Sequence, residues 1–286
     1  MQRNHLSLPS LILVAMTSAG SMACEEMFAP RSAIEGLRIL ALEADKFEVR
    51  VTDQEPITIT PFVVDTSSSA LQHEWTFCPI NVGGRAGFAC AIAACEKPII
   101  AEPSGKIIFN PGEAALECIQ NLESTASPDE MEIFSGADQI PDQVETLFRY
   151  RVTNASGDTQ EAIFRMPLWL QNAPEEFNSE LKIQEIIIGG ETVTSTPTQI
   201  TLADLSEVVI ETTIDPSDVE EGDTLVLAYF ATQGRFSSEL SEESISKTTL
   251  KIEQVSVTKA DIYIVLRDLR GSQRAYGPIT IQKPSN

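Results

Sequence analysis

Asp261-Ile262-Tyr263-Ile264-Val265-Leu266-Arg267 is followed by Arg270-Gly271-Ser272 and then by Pro278-Ile279-Thr280-Ile281-Gln282. Two stretches rich in β-branched residues on either side of a glycine turn read as a β-hairpin. The same signature recurs upstream. Period-two or apolar runs at 181–188, 208–214, 224–231 and 249–257 are separated by turn signals such as Gly189-Gly190. Further up the chain, 37–43, 57–64, 72–78, 146–153 and 159–170 repeat the pattern, the last two joined by Asn154-Ala155-Ser156-Gly157-Asp158. Pro61 lacks an N–H for the ladder, which places its strand at an edge or a bulge. Short strands at this spacing predict an all-β chain built as sandwiches.

The pattern restarts after Gln171-Asn172-Ala173-Pro174. The expected division is a first β-sandwich over 35–174 and a second over 175–286. Residues 79–144 break the strand pattern and are expected as a cysteine-rich insertion in the first sandwich. Within it Asn110-Pro111 supplies an N-cap and first helical residue, with Ala115, Cys118, Ile119 and Leu122 on one apolar face.

The N-terminus reads as an export signal. Arg3 is followed by the apolar run of residues 6–17 and by the small residues around Ala23, so residues 1–23 are expected to be removed. The apolar run is shorter than the roughly 20 residues a membrane-spanning helix needs. Ser21-Met22-Ala23-Cys24 resembles the lipobox of bacterial lipoproteins, although Ser21 stands where leucine is usual. The resemblance implies a lipid on Cys24, residues 24–34 as a tether, and a membrane-anchored protein of the bacterial cell envelope. Cleavage after Ala23 by an ordinary signal peptidase is the alternative.

With Cys24 set aside, Cys78, Cys90, Cys95 and Cys118 remain, an even number in an exported chain. Disulfides are expected, and the spacing fits no zinc knuckle. Three pairings are open; Cys78–Cys90 with Cys95–Cys118 is the one favoured.

The chain carries 42 acidic and 20 basic residues, a net charge of −22. That charge repels phosphate backbones, so nucleic acid is not an expected partner. His5 leaves with the signal, and His73 stands alone in the rest of the chain. Neither a nucleophile elbow nor a phosphate-binding loop is present, so no catalytic, metal or cofactor residue is assigned. The densest oxygen cluster, 215–223, lacks the alternating order of an EF-hand. It and Ser127-Pro128-Asp129-Glu130 are read as solvated turns, and Gly83-Gly84-Arg85-Ala86-Gly87 as slack within the cysteine region.

Ala44-Asp45-Lys46-Phe47-Glu48-Val49 leading to Ile57-Thr58-Ile59-Thr60 echoes Ile214-Asp215-Pro216-Ser217-Asp218-Val219 leading to Leu225-Val226-Leu227-Ala228. The turn Val219-Glu220-Glu221-Gly222-Asp223-Thr224 resembles the opening of bacterial immunoglobulin-like domains. Gly36-Leu37-Arg38-Ile39-Leu40-Ala41, Trp75-Thr76-Phe77-Cys78-Pro79 and Val265-Leu266-Arg267-Asp268-Leu269-Arg270-Gly271 are similar to segments of Gram-negative lipoproteins with tandem immunoglobulin-like β-sandwiches. That resemblance implies a fold and an anchor but carries no known activity. The function expected is a non-enzymatic binding or structural module for an envelope protein or glycan. The alternatives are a carbohydrate-active hydrolase using two carboxylates and a calcium-stiffened adhesion module.

Overall fold

The computed structural model describes residues 31–81, 83–84, 87–121, 141–175, 177, 181–215, 224–268 and 271–284. Cys24, the signal, most of the tether, Leu122, the stretch 127–130 and residues 216–223 of the acidic turn 215–223 lie outside the described residues.

Residues 32–286 form one compact unit. In its first half β1 (Arg38–Ala44), β3 (Ile57–Val64) and β6 (Ile107–Phe109) make a three-stranded sheet. Facing it is a five-stranded sheet in the order β2 (Val49–Arg50), β8 (Thr159–Trp169), β7 (Gln143–Asn154), β4 (Leu71–Cys78), β5 (Lys97–Ile99). In the second half β10 (Glu191–Thr192), β9 (Ile183–Ile188), β12 (Glu207–Ile214), β16 (Ile245–Lys251) and β14 (Arg235–Phe236) form one sheet. The other runs β11 (Thr198–Thr201), β18 (Gln273–Gln282), β17 (Lys259–Asp268), β13 (Leu225–Ala231), β15 (Leu240–Ser241).

The two halves share one topology. The series β1-β3-β6 corresponds to β9-β12-β16, and β2-β8-β7-β4-β5 to β11-β18-β17-β13-β15. In each, a short strand pairs in parallel with the last strand: Val49 with Leu168, and Thr198 with Ile279. All-antiparallel neighbours with one such parallel pair give two immunoglobulin-like β-sandwiches in an all-β fold. The sequence echo relates different strands, however. Ala44 to Thr60 spans β1 to β3, whereas Ile214 to Ala228 spans β12 to β13, one strand further on. Similar apolar strand–turn–strand patterns recur at every hairpin, so a short echo does not fix equivalence.

Each core follows strand alternation. In β12, Val208, Ile210, Thr212 and Ile214 point inward while the intervening residues are less buried. Thr212 belongs inside because its hydroxyl is 2.8 Å from Tyr229 OH, which also donates to Ser246 Oγ at 2.9 Å. One phenol from β13 therefore satisfies hydroxyls on both β12 and β16 across the core. The first core is aromatic: Phe77, Phe148 and Tyr150 are fully buried, and Trp75 is 2% exposed.

Residues 79–144 are more than an insertion, because they supply β5 to one sheet and β6 to the other. Three-residue strands are too short for a period-two signal, which is why the sequence hid them. The helix α1 (Pro111–Gln120) begins as expected, Asn110 Oδ1 accepting from Glu113 N–H at 3.0 Å. Of the expected apolar face Ala115 and Cys118 are buried and Ile119 is exposed, and the buried surface extends instead to Pro111, Gly112 and Ala114. The cause is a close approach to β2. A Cβ at Gly112 would lie 2.8 Å from the Val51 carbonyl oxygen and 3.1 Å from that of Arg50. The apolar run expected at 249–257 also shifts, β16 starting four residues before the expected 249.

β17 departs from alternation altogether, since Ile262, Tyr263, Ile264, Val265 and Leu266 are all buried. Ile262, Ile264 and Leu266 face the second core. Tyr263 and Val265 face the other way and pack with Ala228, Ile34, Leu40 and Ala41 in a third cluster, the seam between the sandwiches. Burial, with the Asp261 charge second, pushes the Tyr263 phenol up to about 12. The outer face of the first sandwich's three-stranded sheet thus lies on the outer face of the second sandwich's five-stranded sheet.

Side chains close the strand edges at this seam. Arg267 Nη2 donates to the Leu40 carbonyl, and Leu42 N–H donates to Gln273 Oε1 at 3.3 Å, both on β1. In return Glu43 Oε1 accepts from Ala275 N–H on β18. Backbone groups that a lone edge strand would leave open are thereby satisfied by the neighbouring sandwich.

Candidate functional site

The outer faces of the two five-stranded sheets are equivalent in topology and opposite in fate. On the second sandwich that face carries Ala228, Phe230, Tyr263, Val265 and Ala275, all in the seam. On the first it is open to solvent and polar. Glu74 on β4, Arg151 on β7 and Glu161 on β8 stand side by side in register. Arg151 Nε donates to Glu161 Oε1 at 2.8 Å, and its Nη1 lies 3.9 Å from Glu74 Oε2. One row along, Thr76 neighbours Arg149.

The cysteine-rich segment walls this face. Cys78, the last residue of β4, is bonded to Cys90, and Cys95 is bonded to Cys118 on α1. The two disulfides pin the stretch 90–95 at both ends. Ala89, Cys90, Ala93 and Glu96 form one side of a cleft of about 460 Å³, with Thr76, Arg149 and Arg151 in its floor. Arg149 Nη2 donates to the Phe88 carbonyl at 3.3 Å, and its buried Nε has no partner among the described residues. The Gly-rich turn contributes next to it, Gly83 and Gly84 carbonyls accepting from Phe88 and Gly87 N–H at 3.0 and 3.1 Å. The residue pair Arg149 and Arg151 escaped the sequence reading; the available signal was two arginines two apart on one strand, hence on one face.

A second cleft of about 520 Å³ lies at the other end of the first sandwich. Its cations are engaged: Lys46 pairs with Glu55 at 2.9 Å, and Arg50 lies 4.5 Å over the Phe177 ring and donates to the Pro174 carbonyl at 2.6 Å. These contacts fasten the segment between the sandwiches rather than present free groups.

His73 lies on the Trp75 face of β4. Its Nδ1 is 2.6 Å from Tyr150 OH, and the rings are stacked with centroids 6.0 Å apart. Gly105 closes over it with φ +83°, and a Cβ there would come within 2.6 Å of Nδ1. Burial pushes the Tyr150 phenol well above its usual range, so it is the donor, and burial pulls the His73 imidazole below its ordinary value, so it is the neutral acceptor. The histidine is thus a packed strand residue whose partner is a phenol. Because the folded value is depressed, its stabilising contribution is complete above the unfolded value near 6.5 and is lost as pH falls through the folded one. Stability of the first sandwich is expected to fall as pH drops below the unfolded value near 6.5, and the slope there to flatten in His73→Gln. An unchanged slope in that variant, measured by denaturant titration at each pH, would assign the drop to other groups.

Among the described residues there is no group of three or more His, Cys, Asp or Glu placed to hold a metal ion. Nor is any described helix long and apolar enough to cross a membrane.

No protein-family model matches the chain, and no curated protein matches it. Solved structures that align with it include the fibronectin(III)-like modules of CbhA from Clostridium thermocellum, at 11% identity over 85% of this chain and 93% of that one, with a TM-score of 0.27. The N-terminal Ig1-2 module of the Drosophila receptor protein tyrosine phosphatase DLAR aligns at 9% identity over 87% of this chain and all of that one (100%), with a TM-score of 0.23. SGBP-B of the Bacteroides ovatus mixed-linkage glucan utilization locus, solved in complex with a mixed-linkage heptasaccharide, aligns at 11% identity over 88% and 71% of the two chains, with a TM-score of 0.23. These likenesses are too distant to bear on ligand or activity, and the description as tandem immunoglobulin-like sandwiches stands on the strand order of the chain itself.

Proposed function

We propose that this chain is an exported, non-catalytic recognition module, held in the bacterial cell envelope by a lipid on Cys24, that binds its ligand on the outer five-stranded face of the first sandwich. The observation that carries the reading is the unequal treatment of two equivalent faces. One is consumed in the seam by apolar residues. The other is kept open, polar and walled by a disulfide-braced segment. Building a rigid wall beside an open sheet face is how scaffolds present binding groups.

The cleft offers both polarities. Arg149 and Arg151 supply planar donors, and Glu74, Glu96 and Glu161 supply acceptors. A ligand rich in paired donors and acceptors, such as an envelope glycan or a polar protein surface, suits it better than a polyanion, which the net charge of −22 would repel.

The test has two arms. A photo-crosslinking residue at Glu161 is expected to capture envelope material in the native host, whereas one at Glu211 on the outer sheet of the second sandwich is not. Arg149→Ala with Arg151→Ala is expected to weaken capture at least about tenfold, equivalent to ~1.4 kcal/mol. Equal capture at both positions, or no loss in the double variant, would remove the assignment of this face. The mass of the mature protein decides the anchor separately, since a lipid addition at Cys24 is required.

A further inference from the structure

Residues 32–34, which the sequence gives to the tether, are built into the protein, yet not into the sandwich that follows them. Ala33 forms a parallel bridge with Ala231, the last residue of β13 in the second sandwich. Ile34 N–H donates to the Ala231 carbonyl at 2.9 Å, and Ala231 N–H donates to the Ser32 carbonyl at 3.0 Å. Ser32 Oγ donates to Glu239 Oε1 at 2.8 Å. Ser32 and Ile34 are each only 2% exposed, and Ile34 belongs to the apolar cluster of the seam. The chain then enters β1, the first strand of the other sandwich. Three residues therefore touch both bodies before either has begun in sequence.

The seam also contains an internal opposition. Arg267 is desolvated by burial and lies close enough to the Arg38 charge to be disfavoured by it, and Arg38 is itself partly desolvated. Arg267 is committed to the Leu40 carbonyl. Arg38 is held by the Ala33 carbonyl at 2.6 Å, by the Phe230 ring at 4.9 Å and by the charge of Glu239. Two of those three partners depend on residues 32–34: Ala33 directly, and Glu239 through its hydrogen bond from Ser32. Removing the segment takes away Ile34 from the apolar cluster and leaves the guanidinium repulsion less compensated.

We propose that residues 32–34 are a strap that locks the two sandwiches together, and that withdrawing it lets the seam hinge and uncovers Ala228, Phe230, Tyr263 and Val265. Relative motion is the default for two domains joined by a modest interface, and a discrete clasp is what suppresses it. The strap lies between the first strand and everything N-terminal to it. A pull on the chain from that side therefore reaches the strap before it reaches any strand of either sandwich. The inference rests on the contacts of residues 32–34 alone and holds whether or not Cys24 carries a lipid, and whichever face binds ligand.

The test uses the chain from residue 24 onward with Cys24→Ser, carrying nitroxide side chains attached by non-cysteine chemistry at the exposed positions Ser156 and Glu253, one on each sandwich. The strapped chain is expected to give one narrow interspin distance. A chain beginning at Glu35, which keeps β1 whole, is expected to give a distribution at least about twofold broader. Tryptophan fluorescence and far-ultraviolet circular dichroism check that both sandwiches remain folded. An equally narrow distance in the folded, shortened chain overturns the proposal, because β1, Glu43, Arg267 and Gln273 then hold the seam unaided. If the shortened chain does not fold, Ser32→Ala with Ile34→Ala in the full chain supplies the readout. Broadening there supports the strap, and an unchanged distance overturns it.

Discussion

Trp75→Ala is expected to lower the stability of the first sandwich by about 3–5 kcal/mol, the range for deleting a large buried aromatic. Trp75 is 2% exposed on β4, one strand in from the edge strand β5. Its ring lies 4.6 Å from that of Tyr150, and its Nε1 donates to the Gly105 carbonyl at 2.9 Å. The loss therefore combines a cavity, an aromatic contact and a carbonyl left without its donor. Trp75→Phe separates these, keeping a ring while losing the hydrogen bond, and should cost less than the alanine change. Both tryptophans of the chain, Trp75 and Trp169, lie in the first sandwich, so Trp75→Ala leaves Trp169 as a local reporter of its unfolding. A denaturant midpoint for Trp169 fluorescence that barely moves would show that the site collapses around the smaller side chain.

Cys95→Ala with Cys118→Ala is expected to cost the same sandwich about 2–4 kcal/mol, chiefly by releasing the unfolded chain from a closed loop. The two cysteines are 23 residues apart, each 4% exposed, and join α1 to the turn that leads into β5. Without the bond, α1 keeps its N-cap and its docking on β2 through Gly112, but the wall of the cleft loses one of its two fixed ends. Two readouts should respond together: the tryptophan midpoint falls, and hydrogen exchange of residues 90–96 accelerates. The second sandwich contains no cysteine, so its own transition should move only as far as the seam couples it. Loss of stability without faster exchange in 90–96 would mean that the wall is held by packing of Ile92 rather than by the bond.

Much of the fold was legible in the chain because strands with one buried face write their geometry as alternation. β12, β4 and β8 were found that way, and Asn110-Pro111 marked the start of α1 through its capping chemistry. The all-β class and the division into turn-linked strands follow from residues interacting with near neighbours. What lay beyond the sequence is long-range. β5 and β6 are too short for a period, and their membership in two different sheets depends on strands tens of residues away. The run Ile262 to Leu266 announced a buried strand, but nothing local says that Tyr263 and Val265 meet Leu40 rather than solvent. The same holds for the site. Arg149 and Arg151 share a face by alternation alone, yet that face is a cleft only because two disulfides stand the segment beside it, and only because the seam took the equivalent face instead. Alternation in sequence fixes which side chains share a face; which face is covered is decided by surfaces that meet once the whole chain has folded.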